Sequence, residues 1–209
     1  MDKYFKCFGL PGSLPLTGLM SLLAVVLALA FPTQARWLCA AAMILSSVGD
    51  IFLMHLPVIE KNIPNYFYIG AGFFMAAHVL YALCYALLIH AAGAQILNPG
   101  AAIMILAAAG MAVWFILSAR KMGQMDQLPL ILAYIVMISL DAGMVLSYAW
   151  SQGMTNPLAI LAAVGAVSFF LSDLIISLGI VMSVKEYDHL IWWYYPIGQI
   201  LMILGVGRG

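Results

Sequence analysis

The chain reads as long apolar runs broken by short polar segments. Seven runs are long enough to cross a bilayer, which takes about 20 apolar residues in helical form. They lie at 15–32, 37–56, 66–90, 99–118, 128–150, 156–182 and 190–206. The breaks carry turn or charge signals: Pro32 to Arg36, Glu60 to Pro64, Asn98-Pro99, Arg120 to Gln127, Asn156-Pro157 and Lys185 to His189. No soluble domain, linker or low-complexity tail interrupts this pattern. The expectation is therefore one all-α bundle over residues 1–209, a polytopic integral membrane protein of about seven transmembrane helices.

Composition sharpens that picture. Apolar residues make up 66% and charged residues 8%, against roughly 25% charged in a soluble domain. So few charges cannot cover a water-facing surface, and lipid must solvate most of it. The net charge is zero and the basic residues are scattered, which points away from a nucleic-acid partner. Cys7, Cys39 and Cys84 are too few and too far apart for a disulfide framework or a metal cluster, and read as small apolar residues. The 14 Met residues read as packing or lipid-facing. Lys3 and Lys6 precede Pro11, Gly12 and Pro15, and no small-residue cleavage site follows the first run, so the start does not read as a cleaved signal.

Orientation follows from the basic loop residues. With seven spans, Lys3, Lys6, Lys61, Arg120, Lys121 and Lys185 fall on one side, and Arg36 and Arg208 on the other. This predicts a cytoplasmic N-terminus, with a bacterial inner membrane as the expected location. Trp37, Tyr66, Tyr68, Trp150, Trp192 and Trp193 lie near span ends, as an interfacial aromatic belt does.

Ionisable side chains inside a span cost several kcal/mol or more, so each one is informative. Four lie well inside apolar runs: Asp50, His78, Asp141 and Asp173. Ser46 and Ser47 share the face of Asp50, and Gly49 admits a close neighbour. Asp173 ends another small-residue face, Gly165 to Ser172, with Ser177 four residues on. His78 is followed by Tyr81 and Tyr85 on one stripe, and Asp141 is flanked seven residues away by Tyr134 and Tyr148. Tyr195 and Gln199 share a face around Pro196, which predicts a kink. In the predicted topology, Asp50, His78, Asp173 and Tyr195 fall at similar depth in the cytoplasmic half, with Asp141 near mid-span. A lone buried His is usually a helix-to-helix hydrogen-bond partner, whereas two Asp residues at matched depth point to a shared functional cavity. Asp50, His78, Asp173 and Gln199 are expected to line one pocket in the cytoplasmic half. HExxH, GxSxG and P-loop patterns do not occur. His55, His90 and His189 lie near span ends, so no metal site is expected.

The same positions resemble the YhhN-like family, which includes the transmembrane lysoplasmalogenases. The matching pieces, in the family's order, are Ser46-Ser47-Val48-Gly49-Asp50, Gly72 to Tyr81, Gly165 to Asp173, and Tyr195-Pro196-Ile197-Gly198-Gln199. The resemblance covers about residues 15 to 206. Family members usually have eight spans, and this chain lacks the first; the family's early Lys-Pro corresponds to Leu14-Pro15. That departure bears on the span count more than on the site. The resemblance implies hydrolysis of the vinyl-ether bond of a lysoplasmalogen, giving a fatty aldehyde and glycerophosphoethanolamine or glycerophosphocholine. Such chemistry needs one protonated carboxyl and one carboxylate, as glycoside hydrolysis does, and no metal or organic cofactor. Asp50 and Asp173 would be the acid/base pair. His78, Tyr81, Tyr195 and Gln199, with Ser46 and Asp141, would hold the pair, the attacking water or the headgroup. Read without the resemblance, buried Asp and His residues also suit a proton-coupled transporter of a lipid-like or small solute, although no inverted repeat is visible.

Overall fold

A computed structural model describes residues 6–7, 10–11, 13–54, 56–123, 125–126, 128–184 and 186–206. Its long helices are α1 (Ser13–Ala30), α2 (Gln34–Leu53), α4 (Tyr66–Ala91), α5 (Pro99–Met122), α6 (Leu128–Ser151), α7 (Pro157–Met182) and α8 (Asp188–Gly205). A six-residue helix, α3 (Pro57–Asn62), fills the loop after α2, and two-residue strands β1 (Lys6–Cys7) and β2 (Leu10–Pro11) pair antiparallel before α1. Five helices (α2, α4, α5, α6 and α7) are long and apolar enough to cross a membrane, and α1 is a shorter apolar one. The protein is an all-helical polytopic membrane bundle.

The boundaries follow local chemistry. Asn98 and Asn156 are N-caps, each followed by Pro at the first helical position. The Asn98 side chain accepts from the N–H groups of Gly100 and Ala101, and Asn156 from Leu158. Thr33 caps α2 by accepting from the Arg36 N–H. Gly123 ends α5 at φ 69°, a conformation glycine adopts without steric cost. Four of the six polar breaks that divide the sequence thus hold helix caps. Of the basic residues behind the predicted orientation, Lys3, Lys185 and Arg208 lie outside the described residues, as does His55. The short helix α3, within the expected break, was not anticipated. Pro196 lies inside α8, and helix continues on both sides of it.

Neighbour relations give the architecture. α1 packs on α2, α2 on α4, α4 on α6, α6 on α7, α7 on α8, and α8 returns to α1. Six helices therefore form a closed ring. α5 stands outside it, packed mainly on α6 through Phe115, Ala119, Ile131 and Ile135. Ile103, Ile105, Leu106, Val113, Trp114 and Leu117 of α5 are exposed, as a lipid-facing helix requires. A tight seam joins α7 and α8 through Gly165 and Gly198. A Cβ on Gly198 would lie 2.7 Å from the backbone nitrogen of Phe169. With lipid as the competing solvent, such close backbone approach, rather than apolar burial, holds helices together.

Candidate functional site

Every helix of the ring sends a polar side chain inward, and these side chains sort into three groups.

The first is built on Asp50, one turn from the end of α2. Its Oδ2 accepts hydrogen bonds from Thr17 Oγ1 on α1 at 2.6 Å and from the Tyr195 hydroxyl on α8 at 2.7 Å. Hydroxyls continue this contact along the α1–α2 seam: Ser47 Oγ is 2.8 Å from Thr17 Oγ1 and 2.7 Å from Ser21 Oγ. Thr17 and Ser21 are four apart and so share one helical face.

The second is centred on His78, midway along α4. Its Nδ1 is 3.0 Å from Asp141 Oδ2 on α6, a hydrogen bond. Its Nε2 is 3.4 Å from Asp173 Oδ2 on α7. That approach brings the groups into electrostatic contact without hydrogen-bond alignment: Nε2 and Asp173 Oδ2 are buried with no hydrogen-bond partner, and so is Asp141 Oδ1. The ring is fixed by stacking on Phe169 at 4.9 Å and by the edge of Tyr134 at 5.7 Å. The imidazole lies between the two carboxylates rather than converging with them on a point, and no cluster among the described residues has the arrangement of metal ligands.

In the third, the Tyr81 hydroxyl donates to Gln199 Oε1 at 2.5 Å, and Gln199 Nε2 donates to Ser46 Oγ at 3.4 Å. This bridge ties α4, α8 and α2 together, and all three residues are fully buried.

One cavity reaches the first two groups. It measures about 770 Å³ including its open mouth, and Asp50, Asp173, Tyr134, Tyr195 and Ser177 supply its polar wall. The rest is apolar or aromatic, with Phe67, Phe74, Ile131, Ile180 and Trp192 prominent. It lies at the end of the bundle where α2 and α7 finish and α4, α6 and α8 begin, since Leu53, Met54 and Ile180 line it together with Phe67, Leu130 and Ile191.

Of the residues singled out from sequence, Asp50, Asp173 and Tyr195 line this cavity. The expectation that His78 and Gln199 line it too is corrected. His78 and Asp141 stand behind Asp173, and Ser46, Tyr81 and Gln199 form the separate buried bridge. Matched depth placed these side chains at one level, but depth does not say which of them face the opening and which are closed off by a neighbour. Thr17 and Tyr134 were missed as site residues. Thr17 carried a signal in its spacing from Ser21. Tyr134 was visible only as a face neighbour of Asp141, and its cavity-lining position depends on the packing of α6 against α7.

Comparison with known proteins adds one finding. The YhhN family model matches residues 14–206, nearly the whole chain. The chain belongs to the YhhN family. The match begins at the residue after Ser13, where α1 starts, and ends one residue beyond α8, so the family unit coincides with the helical bundle. No curated protein and no solved structure matches.

Proposed function

We propose that this protein is a lysoplasmalogenase, hydrolysing the vinyl-ether bond of an alkenyl glycerophospholipid that has a single chain. The observation that carries this reading is a pair of carboxylates, Asp50 and Asp173, on the wall of one otherwise apolar cavity in a YhhN-family bundle. The apolar wall suits an alkenyl chain, and the position at one end of the bundle lets a phosphate headgroup remain in water.

The chemistry assigns work to both carboxyls. One protonates the β-carbon of the vinyl ether, leaving an oxocarbenium ion on the carbon bonded to oxygen. The other accepts a proton as water adds to that carbon. The resulting hemiacetal collapses to an aldehyde, and the ether oxygen leaves as the free glycerol hydroxyl. In that collapse the second carboxyl gives its proton to the departing oxygen and the first takes the hemiacetal hydroxyl proton, which resets both. Tyr195 and Thr17 hold Asp50 in place. The whole chain is read as one bundle with its N-terminus cytoplasmic, in a bacterial inner membrane, so the cavity opens toward the cytoplasm.

A proton-coupled transporter is the second reading, favoured by the deeper His78–Asp141 contact. The test is to incubate purified protein with a lysoplasmalogen and to measure aldehyde and glycerophosphoethanolamine or glycerophosphocholine in equal amounts. Absence of aldehyde, together with pH-driven uptake of solute in liposomes, overturns the hydrolase in favour of the transporter.

A further inference from the structure

The proposed reaction leaves two buried groups without a task. His78 and Asp141 do not reach the cavity, yet a buried imidazole and a buried carboxylate in a membrane bundle are costly to keep. Their geometry is directional. Asp141 Oδ2 takes Nδ1 at 3.0 Å, which fixes the ring's tautomer and plane. Phe169 and Tyr134 clamp its faces and edge. The ring is thereby left presenting Nε2 to Asp173 Oδ2, 3.4 Å away, and neither atom has another partner. Asp173 also lines the cavity.

We propose that Asp141 and His78 are a positioning pair for Asp173: they act on its buried oxygen to set its orientation and protonation, and they do not touch substrate. This rests on the lysoplasmalogenase reading for its chemical meaning, but not for its geometry. The arrangement has the logic of a base oriented by a carboxylate, with a cavity-lining carboxyl as the group acted on. The 3.4 Å contact is of the kind that tightens once a site is filled. Other titratable groups facing this pair are Tyr134 on α6, Asp50 on α2, Tyr195 on α8 and Tyr81 on α4 itself. All but Asp50 are phenols, which stay neutral until strongly alkaline pH.

The experiment compares wild type with His78→Gln and Asp141→Asn by two readouts. The first needs no turnover. Dicyclohexylcarbodiimide attacks protonated carboxyls in apolar surroundings, and mass spectrometry maps the modified residue. The pair meets Asp173 at its buried oxygen, so either variant should displace the pH profile of Asp173 labelling by about one unit, the lower end for loss of a charged neighbour. Asp50 labelling should not move. The second readout is kinetic: kcat should fall at least about tenfold with KM nearly unchanged. An unchanged Asp173 labelling profile in both variants, an equal shift at Asp50, or a rise in KM at constant kcat each overturns the proposal. If His78→Gln does not fold, Asp141→Asn decides by the same criteria. A wild-type protein that releases no aldehyde sinks the lysoplasmalogenase reading alone, because the labelling readout stands without it.

Discussion

Asp50 and Asp173 share the wall of one cavity, but their surroundings differ. Asp50 is held by hydroxyls: Thr17 on α1 and Tyr195 on α8 both donate to its Oδ2. Asp173 is held by no hydroxyl donor on Oδ2 and instead meets an imidazole backed by a second carboxylate. Hydroxyls are neutral at any working pH, so Asp50's support is constant. An imidazole can gain or lose a proton, so Asp173's support can change with the charge on its neighbour. Two carboxyls that must play opposite roles in one reaction need unlike surroundings, and these differ in kind rather than in degree. The hydroxyl side is redundant and fixed; the imidazole side is responsive.

The comparison breaks most severely if either carboxyl is removed. Asp50→Asn and Asp173→Asn keep side-chain size but remove charge and proton together. Each should lower turnover by at least about 10²-fold, the low end for a positioned acid or base. The double variant should lose little more than the worse single one, because groups acting as a unit are not additive. Expression and detergent stability should persist, since Asn can still take the hydroxyl hydrogen bonds and buries no charge. Aldehyde release from purified variants measures this, and full activity in either one refutes the two-carboxyl mechanism.

Tyr195→Phe sharpens the contrast at lower cost. It removes one of Asp50's two donors and keeps the ring packed against Phe74 and Phe169. A hydrogen bond to a charged group is worth about 1.5–3 kcal/mol, and the remaining donor offsets part of that. Turnover should fall about tenfold, the kinetic equivalent of about 1.4 kcal/mol. Asp173's carbodiimide profile should stay unchanged. A shift there would mean that the two sides are one network.

How much of this was legible follows the same division. The long helices and their order were visible because a bilayer imposes long apolar runs, and the Asn-Pro breaks at 98–99 and 156–157 are themselves caps and first turns. Asp50, His78, Asp141 and Asp173 were visible because charge inside a span is rare. The division of labour among them was not. Whether Gln199 faces a cavity or Ser46 depends on how α8 rotates against α2, and that is set by the glycine seam between α7 and α8. Thr17 was hidden for the opposite reason: a hydroxyl inside a span is cheap and common, since it can bond its own helix backbone. Only the partner on α2 gives it meaning.

Thr17→Val is the mildest way to probe the comparison, and the most specific. Valine matches threonine in shape, so packing between α1 and α2 is kept and only the donor is lost. Tyr195 still donates to Asp50 Oδ2, and Ser47 still has Ser21 as a neighbour. Single interhelical hydrogen bonds in membranes average about 0.6 kcal/mol, so turnover should fall only about threefold, and Thr17→Ser should be close to wild type. Redundancy is tested by combination. In Thr17→Val with Tyr195→Phe, Asp50 loses both hydroxyl donors, and the loss should exceed the product of the two single effects, because the second donor removed leaves a buried oxygen with no partner. Strictly multiplicative losses, measured by aldehyde release at saturating substrate, would show that each hydroxyl acts independently and that Asp50's support is not redundant. A Thr17→Val variant as damaged as Asp50→Asn would make α1, rather than the α7–α8 seam, the element on which the site depends.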